Sequence, residues 1–137
     1  MAFKGVSLKR LQRAALWLSI GLVVAIPLAM LVGGAQPQAA GLIPVPWDKP
    51  AHMAVYAVLS CAIGFASRQR GAWAMLIGFA GAVLVGAIDE WHQMDLPGRS
   101  ADIEDLISDA VGAALGTTVL AVRVYLRQWA AMHTDDQ

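Results

Sequence analysis

Residues 72–88 read AWAMLIGFAGAVLVGAI, and residues 89–109 read DEWHQMDLPGRSADIEDLISD. The first stretch is apolar on every side, which is the pattern of a helix surrounded by lipid rather than of one facing water with half its surface. The second holds seven of the ten acidic residues of a chain that is 58% hydrophobic. Charge is costly at a bilayer edge, so acids crowded against apolar helices mark a site rather than a solvated loop.

Working outward, three further apolar stretches occur at 14–32, 51–66 and 106–126. Each approaches the ~20 residues that cross a hydrocarbon core, the second being short and dependent on interfacial flanks. With only 15% charged residues in 137 positions, the composition is unlike that of an average soluble domain. The expected fold is all-α: one polytopic membrane domain over residues 1–137, with four transmembrane helices at about 14–32, 51–66, 72–88 and 106–126 in an antiparallel bundle. The first run follows Lys4, Lys9, Arg10 and Arg13 as a signal peptide would. Its apolar length exceeds the ~7–15 residues of a signal core, so an uncleaved helix is expected.

Zero net charge conceals a sidedness. With the amino terminus inside, Lys4, Lys9, Arg10, Arg13, Arg68, Arg70, Arg123 and Arg127 fall on the inner side against Asp135 and Asp136. The outer side holds Lys49 and Arg99 against eight acids. The positive-inside bias then places both termini in the cytoplasm and the acidic motif loops outside. Residues 33–50 and 89–105 form the outer connections and Arg68–Gly71 a tight inner turn, so helices two and three, and three and four, should be antiparallel neighbours. Lone Cys61 is read as a small apolar filler.

Three groups of polar residues carry the chemistry. Asp48, His52 and Tyr56 recur at i, i+4 and i+8 and share a helix face, with Asp48 also suited to cap the helix ahead of Pro50. Asp102, Asp105, Asp109, Gly112 and Gly116 fall within an arc of roughly 80°, while Glu104 points elsewhere. Gly112 and Gly116 form a small-xxx-small surface for close helix packing. Ser100 or Asp102 is suited to cap that helix, an explanation that does not reach Asp109, two turns in. Asp89, Glu90 and Gln93 close the third helix, where carboxylates oppose the helix dipole and need another reason to be there. Arg99 is the natural hub, since its planar fork engages carboxylates in bidentate fashion. His92 and Asp95 are read as ordinary loop residues.

Asp48-Lys49-x-x-His52-x-x-x-Tyr56, Asp89-Glu90-x-x-Gln93, Pro97-Gly98-Arg99-x-x-Asp102-x-x-Asp105 and Gly112-x-x-x-Gly116 together resemble the VanZ-like family of small bacterial membrane proteins, over about residues 45–117. Members commonly carry Asn where this chain has Asp109. The family's namesake is associated with low-level resistance to the glycopeptide teicoplanin, so the resemblance implies an envelope setting rather than a reaction.

Three readings of the cluster follow, in order of preference. In the first, Asp48, Lys49, His52, Tyr56, Asp89, Glu90, Gln93, Arg99, Asp102, Asp105 and Asp109 bind an envelope component, a lipid-linked precursor or a glycopeptide. In the second, they clamp helices two, three and four together. The third is a membrane hydrolase or transferase acting on a lipid-linked substrate, with His52 as acid or base, Asp89 or Glu90 as its partner and Arg99 stabilising charge. No nucleophile turn, zinc motif or phosphate-cradling loop occurs, so no metal and no cofactor are expected. The expected partner is the lipid bilayer, with no nucleic acid, and the sequence leaves the oligomeric state open.

Overall fold

The computed structural model describes residues 7–36, 41–97 and 100–134. Four helices follow in order: α1 (Leu8–Leu28), α2 (Asp48–Ala66), α3 (Ala72–Met94) and α4 (Ile103–Thr134), with no strand among the described residues. Each is long and apolar enough to cross a membrane, and the chain is a multi-pass membrane protein. Past Pro27, α1 continues as a π-helical turn over Ala29–Gly33. Proline lacks an N–H and crowds the preceding carbonyl, and a wider turn is one way for a helix to absorb that.

The helices outrun the apolar stretches that announced them. α3 continues for six residues past Ile88, because Asp89, Glu90 and Gln93 point into the bundle and are buried there. His92, expected in a loop, therefore lies within α3, half-exposed, whereas Asp95 follows the last helical residue and is exposed. α2 begins at Asp48, three residues ahead of the apolar run. Pro50 does not prevent this, since the amides of a first turn have no intrahelical acceptor to lose.

The interior is built mostly from small residues, with Tyr56, Leu59 and Leu120 as its large members. Tyr56, Leu59, Ala82 and Ala113 form the buried apolar cluster, and the other buried apolar residues are Ala62, Ala74 and Leu120. Other large side chains, among them Trp17, Leu18, Leu76, Leu84 and Leu115, face outward. That arrangement suits lipid, where association rests on close backbone packing rather than on hiding apolar bulk from water.

The most extensive contact joins α2 to α4, which run parallel. Their register is constant along the bundle. A Cβ on Gly112 would strike the backbone of Met53, and one on Gly116 would strike the Ala57 carbonyl. Ser60 Oγ donates to the Ala113 carbonyl at 2.9 Å in the same interface. α3 runs antiparallel to both: Gly78 lies against Ser60 and Gly64 of α2, and Gly86 against Asp109 of α4. The antiparallel pairs expected from the short turns are thus present, but the dominant pair is parallel and links helices that are not consecutive. α1 packs mainly against α2 and has no buried residue.

Candidate functional site

The parallel register brings the amino-terminal ends of α2 and α4 together, and the carboxyl-terminal end of α3 meets them from the opposite direction. Three helix ends therefore deliver their polar residues to one place.

Asp102 is the junction. Its Oδ1 accepts from the Glu104 amide at 2.8 Å, which makes it the cap of α4. Its own amide donates to Glu90 Oε2 on α3 at 2.7 Å, and its Oδ2 accepts from Lys49 Nζ on α2 at 3.1 Å. The Glu104 amide, followed by Lys49, holds the Asp102 carboxyl below its ordinary value.

Lys49 also bonds Asp105 and lies 3.9 Å from Glu104, whose side chain is largely exposed. One ammonium, 26% exposed, thus faces three carboxylates of α4. Arg99, expected at this central place, lies outside the described residues. Lys49 holds it among those described, and its position one helical turn before His52 was the available signal.

Deeper in, His52 Nδ1 and Asp109 Oδ1 are 2.8 Å apart. Asp109 is 1% exposed and His52 25%, so the pair has one buried end and one reachable end. A carboxylate on Nδ1 orients the ring and directs Nε2 to any ligand. The His52 and Tyr56 rings lie nearly parallel, with centroids 6.3 Å apart. On α3, Gln93 Nε2 donates to Asp89 Oδ2 at 2.9 Å, both residues being buried. Asp89 is near enough to interact electrostatically with His52.

Asp48 is not the cap expected of it. The capping position of α2 is Trp47, which makes no side-chain cap bond, and Asp48 lies inside the first turn. Its Oδ1 is buried without a hydrogen-bond partner, as are the Tyr56 hydroxyl, Glu90 Oε1 and Asp109 Oδ2. The Tyr56 hydroxyl lies beside the Asp109 carboxyl and within electrostatic reach of Asp89 and Glu90. Most buried polar atoms in proteins are paired, so a group of unpaired oxygens at one end of a bundle calls for a reason.

Gly86 adjoins the cluster and was not singled out in the sequence. A Cβ there would lie 2.7 Å from Asp109 Oδ2, so the missing side chain makes room for the carboxylate. Gly78, Ala82 and Gly86 are all buried and recur every fourth residue on α3, a spacing that could have revealed this face. Gly112 and Gly116 lie against α2, as described, so their packing is within the chain. Among the described residues, no three His, Cys, Asp or Glu side chains are grouped as metal ligands.

Against known proteins, the family model described as VanZ/LLP1 matches residues 7–124, which take in the first three spanning helices, the fourth up to its last two spanning residues, and every residue of the polar cluster. No curated protein and no solved structure matches the chain. A match over nearly the whole length establishes that the chain belongs to the VanZ-like family.

Proposed function

We propose that this VanZ-like membrane protein binds a component of the cell envelope at the cluster around His52, Glu90 and Asp109, and through it contributes to glycopeptide resistance. The observation that carries the reading is the set of four buried oxygens without hydrogen-bond partners, on Asp48, Tyr56, Glu90 and Asp109. Three of the four belong to carboxyl groups, which accept when ionised, so a fitting ligand brings donors: an amine, an amide or a sugar hydroxyl. A phosphate group fits poorly, because it would meet further acceptors. With the basic residues of the other end in the cytoplasm, the cluster faces out of the cell, where such groups are displayed.

A second reading, a structural clamp, is favoured by the bonds that Lys49, Glu90 and Asp102 make across α2, α3 and α4. The two readings part on Tyr56→Phe and Glu90→Gln, which change the unpaired oxygens. In the binding reading both variants fold and melt like the parent protein but fail to restore the envelope phenotype of a deletion strain. They also retain lipid-linked precursor or glycopeptide about tenfold less well in equilibrium dialysis, the loss of about one hydrogen bond. Full complementation together with a lowered melting temperature would establish the clamp instead.

A further inference from the structure

At the end of the bundle opposite the acidic cluster, a cavity of about 1260 Å³ opens between α1, the α2–α3 turn and α4. Lys9 and Arg13 reach it from α1, Arg68 and Arg70 from the turn, and Arg123 from α4. No acidic residue is among the described residues that line it. Five cations set around one cavity repel each other. Arg68 adds a second such cost: its φ of 58° is a conformation that side-chain-bearing residues rarely adopt.

The cavity has an apolar continuation. Phe65 lines it and also lines a groove of about 460 Å³ running toward the middle of the bundle between α1, α2 and α4. Leu18, Leu22, Val58, Leu115 and Val119 complete that groove, which holds no charged residue. The Arg123 guanidinium lies 4.2 Å above the Phe65 ring, at the boundary between the two compartments. A basic chamber joined to an apolar groove matches the head and tail of an anionic amphiphile. The chamber is also too large for a lone ion, given that one water occupies roughly 30 Å³.

We propose that this end of the protein is a binding site for an anionic phospholipid, with its phosphate held by Arg13, Arg68, Arg70 and Arg123 and an acyl chain lying in the groove between α1 and the α2–α4 pair. α1, with no buried residue of its own, forms the wall that such a lipid would complete. Basic pockets between transmembrane helices are a recurring means of holding acidic headgroups.

The test uses the full chain in detergent, with phosphatidylglycerol and phosphatidylcholine of matched chains added separately and retained lipid read by native mass spectrometry. Phosphatidylglycerol is expected to be retained at one molecule per chain and to raise the melting temperature, with phosphatidylcholine doing neither. Arg13→Gln combined with Arg70→Gln should weaken retention about tenfold or more, in keeping with the contribution of two basic residues near an anionic surface. Arg10→Gln, an exposed cation outside the cavity, should change nothing. A photoactivatable phosphatidylglycerol on the unaltered protein should label α1 and α4 within residues 16–22 and 115–124. Equal retention of both lipids, equal protection by inorganic phosphate alone, an effect of Arg10→Gln as large as that of the double variant, or labelling confined to other segments would each overturn the assignment.

Discussion

Gly86 and Asp109 are fitted to each other: the space that a side chain on Gly86 would occupy is filled by the Asp109 carboxylate, 2.7 Å from the position of the absent Cβ. Asp109 can enter the bundle because α3 has no atom there. Gly86→Ala should therefore push the carboxylate aside and lower stability by about 1–3 kcal/mol, the usual cost of overpacking. In an Asp109→Ala background the same substitution should cost much less. A double-mutant cycle on melting in detergent reads the coupling directly.

His52 and Asp109 should respond unequally to substitution. Removing the ring by His52→Ala leaves a buried carboxylate with no partner on either oxygen, at a cost of about 3–5 kcal/mol. Asp109→Asn keeps an acceptor for the Nδ1 proton and removes the buried charge, so its cost should stay within about 1 kcal/mol. The ordering of the two melting temperatures checks this, and a reversed order would remove the pair from the account of the site.

The glycines of α4 should behave as a set that Gly21 of α1 does not join. A Cβ on Gly112 or Gly116 meets backbone of α2, whereas one on Gly21 meets nothing within 4 Å. Gly112→Ala should destabilise by about 2 kcal/mol or more, because a backbone cannot step aside as a flexible side chain does. Gly21→Ala should be neutral or raise stability by about 0.5–1 kcal/mol through helix propensity. Thermal melting of the two variants side by side is sufficient.

Asp102 sets an acid limit. Its folded carboxyl titrates below the ordinary value of 3.8, through the Glu104 amide and Lys49. A depressed value means that the unfolded chain takes up the proton first as pH falls. The stabilisation is thus complete above 3.8 and is lost as pH drops toward the lower folded value. Asp102→Asn should lower the melting temperature throughout the range above 3.8, where the carboxylate's contribution is complete, and flatten the fall below that value.

The fold was legible wherever side chains alone decide the environment. Four apolar runs gave four helices. The ends were less legible, because the apolar run stops at Ile88 while the helix continues to Met94 with Asp89, Glu90 and Gln93 on its buried face. The spacing of Gly112 and Gly116 announced a close helix neighbour, yet identifying α2 as that neighbour takes a contact between elements far apart in the chain. Within the candidate site, the shared face of Asp102, Asp105 and Asp109 follows from helical period alone. The central place of Lys49 does not, since its three acidic neighbours lie more than fifty residues away. Sequence also gave no sign that Asp48 would have an unpaired oxygen, because a first-turn acid has an adequate local explanation.

The parallel seam between α2 and α4 makes sliding a digital event. The ion pairs of Lys49 and His52 and both glycine notches depend on one register, so a displacement of one helical turn, about 5.4 Å, breaks all of them together and rewards none on the way. These two helices therefore form a fixed keel, and α1, which has no buried residue, is the span held to it least.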